Sequence, residues 1–182
     1  MSGSGKLKRL GKLAKDTSGA ALIEISLLLL PLTGLMVAAV EYGRVFQQYH
    51  VASKGVTAAS RYLARVNNAN LCSTPGAAWT NAVADAKDLA QRGILEIGNG
   101  APTASHILPN WTNHNQIVVT IDCVANPPSA TTGLPAFRGP STLPRITVST
   151  ANFVYDELGL FGIIDKDGVE ITASHTELYI GG

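Results

Sequence analysis

What this chain lacks narrows its chemistry first. It has no Gly-x-Ser-x-Gly turn, no phosphate-cradling glycine loop and no Cys-x-x-Cys pair. The usual sequence signs of a nucleophilic serine, a nucleotide-phosphate site and a dithiol or zinc site are therefore missing. Its four histidines, His50, His106, His114 and His175, are scattered without metal-ligand spacing and read as surface or hydrogen-bonded side chains. Asp165-x-Asp167-Gly168 resembles a fragment of a calcium loop, but the further acidic positions and the closing Glu are absent, so it reads as a β-turn. Asn110-Trp111-Thr112 fits a glycosylation sequon, a common chance match. No cofactor or metal is called for, and the chain reads as non-enzymatic.

Charge is scarce too, at 15% of 182 residues, and unevenly placed. Residues 1–19 carry Lys6, Lys8, Arg9, Lys12 and Lys15 against Asp16, whereas the remainder holds nine basic and twelve acidic residues. Basic only in its leader, the chain does not have a nucleic-acid-binding composition.

What it has instead is one long apolar run. Residues 20–40 contain a single ionisable side chain, Glu24. About 20 apolar residues suffice to cross a bilayer as a helix. Pro31, Thr33 and Gly34 lie inside the run, where a membrane helix tolerates them better than a soluble one does. A basic segment ahead of a span stays cytoplasmic. That places the N-terminus inside and residues 41–182 outside. Glu24 is the odd residue, because a carboxylate in hydrocarbon costs on the order of 3 kcal/mol or more. Either it snorkels to the headgroups, or it meets a charge from another subunit or from a new N-terminus made by cleavage.

Cys72 and Cys123, the only two cysteines, both fall in the exported part. An oxidising compartment allows them to pair, which would contribute about 4 kcal/mol on the entropic account. The alternative is two buried, unpaired thiols.

Residues 1–19 are Gly/Ser-rich and then basic, with no apolar core of their own. A secretory signal has a shorter apolar region followed by small residues. Here Ser18, Gly19, Ala20 and Ala21 precede the run, which argues against ordinary signal peptidase. The segment is either an uncleaved anchor or a leader cut on the cytoplasmic side.

Gly19-Ala20-Ala21-Leu22-Ile23-Glu24 resembles a class III prepilin signal: a basic leader, Gly, then Glu five residues on. Over residues 17–66 the chain is similar to the TadE-like family of the tight-adherence (Tad) pilus machinery. The shared elements are Gly19-Ala20-Ala21, Ile23-Glu24-Ile25, Leu30-Pro31 and Glu41-Tyr42-Gly43-Arg44, in that order. The departure is Ile25, where the family more often has an aromatic residue. The resemblance implies a pseudopilin or minor pilin whose partners are a prepilin peptidase, other pilin subunits and membrane lipid. It implies cleavage between Gly19 and Ala20, and a role for Glu24 and Ala20 in assembly. It also implies a bacterial inner-membrane protein, single-pass, with its C-terminal domain periplasmic or extracellular. A rival reading keeps the leader uncleaved and puts a binding or enzymatic activity in residues 67–182.

After residue 40 the pattern turns amphipathic. Tyr42, Val45, Tyr49, Ala52, Val56, Ala59, Leu63 and Val66 recur at spacings of three and four, a stripe on one helix face. Gln47, Gln48, His50, Lys54, Thr57, Arg61 and Arg65 lie off it. The helix is predicted from about residue 18 to 66, ended by Asn67-Asn68-Ala69-Asn70. Its stripe is either a coiled-coil seam or, the favoured reading, a face covered by a sheet of the same chain. Gly43 and Gly55 mark either close contacts or flexibility.

Downstream, Thr74-Pro75 reads as an N-cap and first helical residue, with a helix to about Gln91 and Gly93 as its stop. Trp79, Val83, Ala86 and Ala90 line one side. Residues 98–115 read as loop and 116–124 as a half-buried strand by strict alternation. The proline-rich residues 126–144 read as a loop holding no regular element. Residues 145–155 read as a second strand bulged at 149–152, and 170–180 as a third. The expected fold is α+β and pilin-like: a long N-terminal helix packed on a small antiparallel sheet with one further helix. The expected divisions are a leader (1–19), a transmembrane helix (20–40), an amphipathic extension (41–66) and an extracytoplasmic domain (67–182).

Overall fold

The structure is a computed structural model that describes residues 18–67, 71–95, 104–135, 137, 141–155 and 168–180. The leader up to residue 17 and the turn residues 165–167 lie outside the described residues. Two compact units make up the chain, Met1–Tyr42 and Gly43–Gly182, with helix α1 (Ser18–Leu63) running through their boundary. Helix α2 (Ala77–Arg92) follows, then strands β1 (Ile117–Ala125), β2 (Thr142–Thr150) and β3 (Ser174–Leu178).

The described residues of the first unit, 18–42, are helix, and its large apolar side chains are exposed. Leu22, Leu27, Leu30, Leu35 and Met36 each keep well over half of their surface accessible. The two hydroxyls of the run bond within the helix. Ser26 Oγ donates to the Leu22 carbonyl at 2.7 Å and Thr33 Oγ1 to that of Leu30 at 2.9 Å. Such bonds satisfy a hydroxyl without water.

The second unit holds the core. Ala52, Val56, Ala59 and Leu63 of α1 are fully buried, together with Ala86 and Ala90 of α2 and Ile146 and Val148 of β2. Burying a Val or Leu side chain contributes roughly 1.5–3 kcal/mol. Hence the stripe is spent on a core within its own chain, as the sequence favours. Its course is rotated from the expected one, however. Tyr42 and Tyr49 are exposed, whereas Glu41 and Gln48, the latter placed off the stripe, are buried. The buried line runs Glu41, Gln48, Ala52, Val56, Ala59, Leu63.

Helix α1 stops at Leu63, three residues short of expectation, and closes with a turn in which Arg65 N donates to the Tyr62 carbonyl. Its end is tied to the two residues that follow β3. Ile180 N donates to the Ala64 carbonyl at 3.1 Å, and Tyr179 Oη to that of Val66 at 2.8 Å. Helix α2 begins later than expected. Gly76, not Thr74, is its N-cap, and Gly93 ends it with φ 75°, a left-handed conformation suited to glycine.

The sheet is antiparallel in the order β1-β2-β3. Ile117, Val119 and Ile121 alternate inward opposite Thr150, Val148 and Ile146. On the outer face Thr147 and Thr176 pair their hydroxyls at 2.8 Å, and Arg145 bonds Asp122. Two expectations need correction. The proline-rich stretch does contain regular structure: β2 begins at Thr142, and Pro128 bridges Pro135. The expected bulge is a break instead. The β2 ladder ends at Thr150, Asn152 takes φ 50°, and pairing resumes at a single Val154–Glu170 bridge.

Pro144 lies in the central strand, at the end of its pairing with β3. The N–H and C=O of one residue point to the same side of a strand. The Pro144 carbonyl accepts from Tyr179 N at 2.9 Å, so its missing donor also faces the β3 side, just past the last β2–β3 pair, Arg145–Leu178. Together, a long apolar helix, a second helix and a three-stranded antiparallel sheet give the expected α+β, pilin-like fold.

Candidate functional site

The residues singled out for processing and assembly share the first turns of α1. Gly19 and Ala20 are exposed, and a Cβ built on Gly19 would meet nothing within 4 Å. Glu24 lies one turn further and is exposed. The helix that carries them, Gly19–Leu63, is long and apolar enough to cross a membrane.

Cys72 and Cys123 form a disulfide, with their Cα atoms 5.8 Å apart and a sequence separation of 51. It fastens the segment leaving α1 to the far end of β1. Both residues are exposed.

The polar groups of the second unit form local pairs. Asp88 receives Arg92 at 3.1 Å and His114 at 3.2 Å. Tyr62 faces Asp85 at 3.4 Å, and its phenol is held above its ordinary range, first by burial and then by that carboxylate. Burial, and then Arg92, holds His106 below the usual imidazole range. Glu177 joins His175 at 3.0 Å and Arg61 at 3.4 Å. Its carboxyl is lowered from the ordinary value, chiefly by the His175 hydrogen bond. Among the described residues no three His, Cys, Asp or Glu side chains come together as a metal site would need. These groups tie helix to strand and loop to helix.

Sequence reasoning missed Trp111. It lies in a stretch read as loop, yet it is fully buried and stacks on Phe153 with ring centroids 5.5 Å apart. The loop around it is built, not loose. Asn113 and Gln116 cap each other's backbone in a capping box, and Gln91 Nε2 and Lys87 Nζ donate to the carbonyls of Asn113 and His114. A tryptophan inside a polar stretch was the one available signal. Also missed was Asn126, buried, whose side chain both donates to the Phe137 carbonyl and accepts from its N–H.

No curated protein and no solved structure matches the chain. Residues 19–61 match the family model described as TadE-like protein.

Proposed function

We propose that this chain is a pseudopilin or minor pilin of a Tad-type pilus assembly, matured by a prepilin peptidase that cuts between Gly19 and Ala20. The observation that carries the reading is the family match over residues 19–61, which contains Gly19, Ala20, Glu24 and the exposed apolar run together. In this reading residues 1–19 are a cytoplasmic leader, 20–40 a transmembrane helix and 41–66 its amphipathic extension. Residues 67–182 complete an extracytoplasmic domain at a bacterial inner membrane.

Cleavage leaves an ammonium group on Ala20. The Glu24 carboxylate of a neighbouring subunit is its complement. Two such charges attract far more strongly in hydrocarbon than in water, and either one alone would be a buried lone charge. The pair therefore rewards only the correctly seated helix. The assembly element is the helix, and the domain supplies the surface that distinguishes one partner subunit from another.

Intact mass and N-terminal sequence of the protein from its own host test this, alongside a Gly19→Ala variant and a strain lacking the peptidase. The expected start is Ala20 in the wild type, lost in both controls. A chain that keeps Lys6 to Lys15 everywhere overturns the reading.

A further inference from the structure

We infer that Phe46, Tyr49 and His50 form an interfacial anchor that seats in the lipid headgroup layer next to the segment crossing the bilayer. This deepens the proposal above and rests on its claim that residues 20–40 span a membrane. The three rings make one patch. Phe46 and His50 lie edge to face with centroids 4.3 Å apart, and Tyr49 meets His50 at 5.9 Å. They are also open to the surroundings: Phe46 is 57% and Tyr49 41% exposed, and His50 is exposed as well.

The rotation of the helix is not free. Gln48, Ala52 and Val56 are buried in the second unit's core, so at 3.6 residues per turn Phe46 and His50 fall on the opposite side of the helix and Tyr49 flanks the buried face. An exposed aromatic cluster on a helix whose opposite face is already used needs another covering.

Position and chemistry indicate lipid. A hydrocarbon core about 30 Å thick takes up about 20 helical residues, and the headgroup layers add roughly 5–7 Å on each side. The patch begins within two helical turns of residue 40 in sequence. Side chains on a helix lean toward its N-terminus, so the rings reach back over the preceding turn. Phe supplies an apolar body, while Tyr and His supply polar tips, the combination favoured at membrane interfaces. Beyond the patch the helix exposes Lys54 and Arg61, and the turn after it exposes Arg65; these charges belong in water.

The test uses the full chain in phosphatidylcholine–phosphatidylglycerol vesicles, with bromine placed on the acyl chains near the headgroups. Phe46→Trp, Leu35→Trp and Arg65→Trp each add one indole at an exposed position. Circular dichroism checks that each variant folds. The native Trp79 and Trp111, 6% and 0% exposed, give a background measured on the wild type. The expected result is that the emission added at position 46 falls by about twofold or more, while that added at position 65 is unchanged. Quenching at 35 but not at 46 overturns the anchor patch and leaves the membrane span standing. Quenching at neither position sinks both.

Discussion

A Cβ on Gly55 would lie 2.6 Å from the carbonyl oxygen of Ala90 and 2.8 Å from the Trp111 ring. Helix α1 and helix α2 thus meet backbone to side-chain-free backbone, with the indole closing the gap. Of the two readings open for this glycine, close contact is the one realised. Gly43 has nothing within 4 Å of the same construction.

The two glycines therefore have opposite substitution outcomes. Gly55→Ala must displace a backbone carbonyl or a packed indole, and should destabilise the chain by about 1–3 kcal/mol. Gly43→Ala adds only helix propensity, and should stabilise by up to about 1 kcal/mol. Urea titrations of the detergent-solubilised protein would show it. Equal midpoints for the two variants would contradict the close approach.

The disulfide gives a second expectation. Cys72→Ser with Cys123→Ser should cost about 2–4 kcal/mol, since the closed loop is long. Because both residues are exposed, a reductant should open the bond in the folded protein without waiting for unfolding. Thiol trapping at low denaturant, followed by mass measurement, separates that from reduction limited by global unfolding.

How much of this could be read from residues alone divides along physical lines. The apolar run, the alternation of Ile117, Val119 and Ile121, and the stop at Gly93 are local signals, and the structure places each where the sequence does. Tertiary choices were less visible. Tyr42 and Tyr49 count as apolar in any pattern, yet their polar tips let them stay outside, and Glu41 and Gln48 took the buried line. Pro144 hid the start of β2, because a proline argues against a central strand unless its missing donor falls past the end of a ladder. Trp111 joins the core from a loop, and no periodicity announces that.

Asn126 supports a third prediction. Its side chain satisfies both backbone groups of Phe137, at 2.8 and 3.2 Å. Asn126→Ala leaves those groups to water and should cost about 1–3 kcal/mol. Hydrogen exchange should find the Phe137 amide protected in the wild type and fast in the variant. Unchanged protection would mean that the loop holds its shape without this residue.

The fourth concerns acid. Glu177 has its carboxyl lowered from the ordinary value of 4.5, first by the His175 hydrogen bond and then by the Arg61 one. A depressed carboxylate stabilises the fold above its unfolded value, and that contribution fades as pH falls through the folded one. Stability of the wild type should therefore decline below about pH 4.5, and Glu177→Gln should flatten that acid limb. Melting curves across this range, with matched salt, would decide. Parallel acid limbs would remove Glu177 from the account.

Pro144 carries one more consequence. A strand can be mispaired by sliding two residues along its neighbour, which keeps every side chain on its proper face and so escapes the hydrophobic check on register. Sliding β2 inward against β3 would draw Pro144 into the ladder, where a donor is required and none exists. The residue that sits harmlessly just past Arg145–Leu178 is thus a one-way stop. Past the end of the ladder water can stand in for the missing donor; inside the ladder one hydrogen bond is lost.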